Sequence, residues 1–188
     1  MNEYIDKREW QPVEERNKGL VEKLKQICKY AYEKSPRMKI LFDEAGFQPS
    51  QIKTLEDMEK IPIITRDQYV KLQREDPPFG GFLTVPYDTL KRIYVHPGPQ
   101  YETLSDADIE HAQKILAKVG AKKGEIVINA VTYHFVPAGL LVDDILTSMG
   151  ITVVPTGFGN TDLQIQIMHD LKATLFAGFP LFFMNVIK

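Results

Sequence analysis

Two short segments of the 188-residue chain gather side chains that can do chemistry. They are Tyr133-His134-Phe135-Val136-Pro137-Ala138-Gly139 and Val154-Pro155-Thr156-Gly157-Phe158-Gly159-Asn160-Thr161. Each lies where an apolar, strand-like run gives way to a helical pattern, the kind of junction at which ligands of open α/β sheets bind. Aromatic side chains there either form one wall of an apolar pocket or pack the core beneath it. Small Ala138 and Gly139 leave room for a ring, and His134, whose imidazole titrates near neutral pH, can polarise a carboxylate. A histidine between aromatics serves equally as a hydrogen-bonded structural residue, so His134 is a catalytic candidate with that alternative beside it. Gly157 and Gly159 let backbone approach a ligand, and Asn160 or Thr161 supplies the N-cap of the next helix.

A third segment, His96-Pro97-Gly98-Pro99-Gln100-Tyr101, follows a strand-like run at Ile93-Tyr94-Val95. Its two prolines remove two backbone donors, and it holds neither a hydroxyl between His96 and Gln100 nor a lysine, so it makes a poor anion cradle. The helix start at Ser105 is surrounded by Glu102, Asp106 and Asp108, whose charge opposes an anion there. A rigid turn is the plainer role. His111 and His169 sit on helices without a second metal-type ligand in register, so solvated or helix-end roles are expected rather than metal binding. Cys28, the single cysteine, falls on the apolar stripe of a helix, where packing is the expected role.

The elements that must position these segments are legible in the patterning. Leu20, Leu24, Ile27, Cys28 and Ala31 recur at helical spacing and predict one helix from about Val13 to Lys34. Ser35-Pro36 restarts the chain into a shorter helix that ends at Gly46. Thr54 with Asp57 and Thr65 with Gln68 mark two further short helices by their capping pattern, and Asp76-Pro77-Pro78 breaks the second. Beyond this, strand-like runs at Ile93–Val95, Ile126–Ile128, Ile151–Val154 and Thr174–Ala177 alternate with helical patterns at Ser105–Val119, Pro137–Met149 and Asn160–Leu171. The fold class expected is α/β: a mainly helical region over 1–90, then a doubly wound, mostly parallel sheet over 91–188. Residues 1–100 carry 33 charged residues and residues 101–188 only 15, which fits a solvated layer leading into a more buried sheet.

Composition excludes several classes. A net charge of −2, with 23 basic residues mixed among 25 acidic ones, leaves no basic stripe for nucleic acid. No run approaches the ~20 apolar residues of a membrane span, and Met1 to Glu9 has charges of both signs without an apolar core, so neither membrane nor signal peptide is expected. A lone cysteine suits a reducing cytoplasm.

In order and interval, Phe79-Gly80-Gly81-Phe82, the Tyr133–Gly139 and Val154–Thr161 segments and the Gly178-Phe179-Pro180 turn resemble the N-terminal half of the phenylacetate–coenzyme A ligases, a family of AMP-forming adenylating enzymes. The resemblance covers nearly the whole chain. It implies that Tyr133, Phe135, Pro137, Ala138 and Gly139 line the acyl or aryl pocket, next to the glycine-rich turn of Gly157, Phe158 and Gly159. It sets His96, Gly98, Gln100 and Tyr101 where the family's phosphate-binding loop runs, similar to a divergent branch with a Pro-Gly-Pro loop there. Phe179 stands where the family has a hydroxyl residue, which argues against a polar role at that turn. The function implied is activation of a phenylacetate-like carboxylic acid with ATP and Mg to an adenylate, then thioester formation with coenzyme A. The family's adenine, ribose and C-terminal catalytic motifs would lie after Lys188, so this chain alone is expected to be inactive, or to be a non-catalytic acid-binding or interaction protein derived from such a ligase. The terminal run Leu181-Phe182-Phe183-Met184 with Val186 and Ile187 reads as a helix apolar almost all round, to be covered by a second copy or a complementing C-terminal half through Phe182, Phe183 and Ile187.

Overall fold

The computed structural model describes residues 10–104 and 106–187, which fall into two compact units dividing after Thr103. The expected helix start at Ser105 and the side chains of Asp106 and Asp108 lie outside the described residues. None of the described helices is long and apolar enough to cross a membrane.

The first unit opens with α1, Val13–Lys34, whose first turn carries Glu14 and Glu15 where the helix dipole favours acids. Ser35 ends it and caps α2, Pro36–Glu44: its Oγ accepts from the Met38 N–H at 3.2 Å and donates to the Gly81 carbonyl at 3.0 Å. One stripe of α1 meets α2 and the chain after it in a small core of Cys28, Phe42, Phe47 and Ile52. Phe42 and Phe47 pack edge to face at 4.9 Å between ring centres. The predicted capping box is present on α3, Arg66–Glu75, with Thr65 and Gln68 bonded reciprocally. The Thr54–Asp57 pattern instead starts a 3₁₀ turn at Glu56–Lys60, and the cap is the Asp57 carboxylate, which accepts from the Lys53 and Thr54 N–H groups at 2.7 and 2.9 Å.

Strands β1, Tyr94–His96, and β2, Gln100–Glu102, form an antiparallel hairpin that belongs to this first unit. The expectation that the run at 93–95 joins the parallel sheet is therefore corrected. Its ladder closes locally across the Pro-Gly-Pro turn, and α3 holds β2: the Gln73 amide donates to the Tyr101 carbonyl at 2.7 Å and accepts from the Tyr101 N–H at 2.8 Å. These bonds also explain why the unit boundary follows Thr103 rather than residue 90.

The second unit is a doubly wound α/β layer: α4 Asp106–Lys118, β3 Ile126–Asn129, α5 Ala138–Ser148, β4 Thr152–Val154, α6 Thr161–Leu171, β5 Leu175–Ala177 and α7 Pro180–Val186. All three strands are parallel, in the order β4-β3-β5. Alternation along the strands sends Val127, Val153 and Leu175 into a core with Ala117 of α4 and Ile145 and Leu146 of α5. Burying each such branched side chain contributes about 2 kcal/mol. On β5 the intervening Phe176 points the other way, against Phe182 and Phe183 of α7 at 6.3 and 4.8 Å between ring centres. Because β4 and β5 flank β3 on opposite sides, crossovers of one hand put α5 and α6 on opposite faces. The chain therefore leaves β3 toward one face and β4 toward the other, and the two turns start side by side at the C-terminal ends of neighbouring strands.

Candidate functional site

Strand β3 ends on a buried amide. Asn129 is fully buried, and its Nδ2 donates to the Tyr133 hydroxyl at 2.7 Å and to the Gly139 carbonyl at 3.0 Å. Its Oδ1 accepts from the Val131 N–H at 3.3 Å, while its backbone carbonyl accepts from the Gly157 N–H at 3.0 Å and the Thr156 hydroxyl at 3.3 Å. The Tyr133 hydroxyl donates in turn to Asp143 Oδ2 on α5 at 3.1 Å. Burial, reinforced by the Asp143 carboxylate, pushes the Tyr133 phenol well above its ordinary pKa, so it stays a neutral donor.

Between Tyr133 and α5 the chain makes a tight turn. The Val136 N–H donates to the His134 carbonyl at 2.7 Å around Phe135, whose φ is 60°. A bulky residue in this left-handed region stores strain of order 1–3 kcal/mol, yet the ring is 79% exposed. Strain without compensating burial marks a residue placed for something other than stability. The β4 exit is built alike: Gly157 and Gly159 have φ of 65° and 90°, Asn160 has φ 49°, and Phe158 between the glycines is 70% exposed. Buried Gln164 on α6 fixes this turn from behind, donating to the Gly157 and Gly159 carbonyls at 2.8 Å each.

Of the pocket residues expected from sequence, Phe135 and Phe158 project into solvent at the two exits, and Gly157 and Gly159 shape the turn that carries Phe158. Pro137 and Ala138 are half-buried at the start of α5. Tyr133 is half-buried and spends its hydroxyl within the protein. Gly139 is buried, and a Cβ added to it would lie 2.4 Å from the Thr132 carbonyl oxygen, so the glycine lets α5 close on the turn rather than leaving space for a ligand. His134 is exposed, with its N–H 3.4 Å from the Thr132 hydroxyl. Asn160 occupies the N-cap position but makes no capping bond with its side chain. Among the described residues no cluster of three His, Cys, Asp or Glu side chains could hold a metal ion.

The His96–Tyr101 turn is described within its own unit. Arg66 Nη2 donates to the Pro97 carbonyl at 2.6 Å and Arg74 Nη2 to the Gly98 carbonyl at 2.7 Å. The turn thus presents carbonyls to the cations of α3, and Pro97 and Pro99 have no N–H to offer. His96 Nε2 lies 2.8 Å from Glu102 Oε1, close enough for an ion pair when the ring is protonated, though not aligned as a hydrogen bond. The Glu102 carboxylate and two prolines without N–H groups thus stand among the residues expected at the phosphate loop, His96, Gly98, Gln100 and Tyr101.

No protein-family model matches the chain. Curated relatives do. The phenylacetate–coenzyme A ligase of Thermus thermophilus is 30% identical over 167 residues, which cover 85% of this chain and 36% of that protein. The Escherichia coli enzyme of the same name is 28% identical over an alignment that takes in 100% of this chain and 44% of its own length. Over most of its length the chain is similar to phenylacetate–coenzyme A ligases. It spans less than half the length of the ligases it matches. The fold agrees: a 2-hydroxyisobutyryl-CoA ligase in its postadenylation state with 2-HIB-AMP superposes with a TM-score of 0.87 at 26% identity, over 94% of this chain and 39% of that one. The same ligase has also been captured with 2-HIB-AMP and CoA in its thioesterification state. Within this ligase framework the sequence reading missed Asn129 and Gln164. A polar residue ending the apolar run Ile126-Val127-Ile128 is the signal that pointed to the first. Gln164 had no such signal, because a glutamine on a helix is ordinarily solvated.

Proposed function

We propose that this chain provides the acid-binding part of an adenylate-forming coenzyme A ligase-like protein, with the carboxylic acid received at the neighbouring turns that leave β3 and β4. The observation that carries the reading is the pair of exposed rings, Phe135 and Phe158, held on fixed turns at the C-terminal ends of neighbouring parallel strands. Rings so placed sandwich or wall the apolar part of a small aryl acid such as phenylacetate. Exposed His134, next to Phe135, is the proposed partner of the carboxylate. Residue-resolved NMR titration of the full chain with sodium phenylacetate tests this. Saturable shifts confined to 133–139 and 156–160 are expected; an absence of saturable shifts, or shifts clustered elsewhere, would overturn it.

On the ligase reading, ATP with Mg as counter-ion would supply the adenylyl group and coenzyme A the thiol. Here the Pro-Gly-Pro turn favours a second reading, a protein that binds the acid without nucleotide. Mg–ATP added to the same sample separates the two: shifts at 96–101 support the ligase reading, and unmoved signals there support the acid-binding one.

For partners, the proposal is a second copy or a complementing C-terminal half seated on the apolar face of Leu181, Phe183, Met184 and Ile187, all exposed. Phe182 is better assigned to the interior, stacked on Phe176. Light scattering of the purified chain tests this, since a monodisperse monomer at high concentration would sink it.

A further inference from the structure

We propose that Asn129 is a positioning residue that holds the turns leaving β3 and β4 at one fixed separation. The inference rests on the acid-binding reading only for its consequence, since the coupling itself is a property of the unliganded chain.

The argument is one of hydrogen-bond accounting. Both side-chain donor bonds of Asn129 go to the first turn, one to the ring hydroxyl of Tyr133 and one to the carbonyl of Gly139, and the side-chain oxygen takes the Val131 N–H. Its own carbonyl takes the Gly157 N–H of the second turn, and the Thr156 hydroxyl lies within reach of that carbonyl at 3.3 Å and of the Gly157 carbonyl at 3.1 Å. One residue, fully buried, therefore terminates the hydrogen bonds of both turns. A buried amide with every polar group engaged has a single low-energy orientation, since any rotation strands a donor or an acceptor without water. The Asp143–Tyr133 contact ties this knot to α5 on the far side. Phe135 and Phe158 follow Tyr133 and Gly157 by two residues and one residue, so the gap between the rings is set at Asn129. Sequence length constrains it much less, since 22 residues separate Phe135 from Phe158.

Three full-length variants and wild type, compared by residue-resolved hydrogen exchange, test the coupling. Asn129→Ser removes the amide but keeps the backbone carbonyl, so it should speed exchange about tenfold or more at Val136 and Gly139 directly and, because the strand end that carries the carbonyl is no longer anchored by the side chain, also at Gly157. Tyr133→Phe should speed it only at Val136 and Gly139, and Thr156→Val only at Gly157. Ala121 and Ile151, whose N–H groups are bonded to Leu116 and Leu146, report global stability and should keep their protection relative to the turns. The proposal is overturned if Asn129→Ser loosens one turn alone, or if all amides rise together. Should Asn129→Ser fail to fold, the two milder variants decide: equal effects of each on both turns would show that the turns do not meet at separate bonds of Asn129. With sodium phenylacetate as probe, Asn129→Ser should weaken binding more than Tyr133→Phe. If wild type does not bind phenylacetate, the acid-binding reading fails while the exchange comparison still stands or falls by itself.

Discussion

The turn at His96–Tyr101 and the pair of turns at the β3 and β4 exits are made of similar residues, rich in glycine, proline and aromatics, yet they spend their polar groups in opposite ways. In the first, the carbonyls of Pro97, Gly98 and Tyr101 are taken by Arg66, Arg74 and Gln73 of a single helix. In the second, the polar groups are tied down beneath the surface by Asn129 and Gln164, and two large rings are left facing water, Phe135 on left-handed backbone and Phe158 between two left-handed glycines. A turn that satisfies itself is a fastener; a turn that fixes its frame and leaves its apolar groups unsatisfied is prepared for a ligand. Composition cannot separate the two cases, and the destination of each hydrogen bond does.

The contrast is broken most forcefully at Gly139. Substitution by alanine sets a methyl against the Thr132 carbonyl, and the closest comparison is overpacking of a rigid core, so a loss of about 3 kcal/mol is expected in urea unfolding. A near-neutral Gly139→Ala would show that α5 can draw back and that space exists there after all. The fastener should fail at Gln73, where leucine would leave the Tyr101 N–H without a partner and its carbonyl with only the Tyr69 hydroxyl at 3.4 Å. About 2 kcal/mol of lost stability is expected, and equal urea midpoints for Gln73→Leu and wild type would mean that water replaces the amide. Phe135 should behave in the opposite sense. Glycine relieves the left-handed strain and should raise stability by about 1 kcal/mol while weakening phenylacetate binding; a less stable Phe135→Gly would show that the ring packs after all.

The smallest effect concerns pH. Lys60 and the Lys53 and Thr54 N–H groups hold the Asp57 carboxyl well below its usual range. A depressed folded pKa adds stability above the unfolded value, about 4 for aspartate, and that stability is lost as pH falls below it. The stability difference between wild type and Asp57→Asn should therefore shrink on acidification below about pH 4. A difference independent of pH would assign the cap to something other than charge.

Much of the fold was legible because its determinants are local. The apolar stripe through Leu24 and Cys28 gave a helix whose observed span, Val13–Lys34, is the one expected, and the hydroxyls of Ser35 and Thr65 marked helix starts through bonds made within three residues. The hairpin was not legible, since Ile93-Tyr94-Val95 has the same β-branched character whichever strand it pairs with. Exposure was also hidden: Phe135 and Phe158 look like core or pocket residues alike in sequence, and only the fold shows both rings in solvent. Gly139 read as room for a ligand because a glycine's missing side chain says nothing about which atom occupies that space.

The strand order β4-β3-β5 has a consequence for how the second unit comes into being on the ribosome. Neither outer strand touches the other, so every ladder bond of the sheet has β3 as one partner. A nascent chain that has emerged only through α5 holds helices but no sheet at all, and the first ladder must wait for Thr152–Val154. The second must wait for Leu175–Ala177 and for the longer loop closure that brings it home, which is slow on entropic grounds. Until then one edge of β3 stays open to the wrong strand, and the middle of the finished sheet is the part of the unit longest at risk during synthesis.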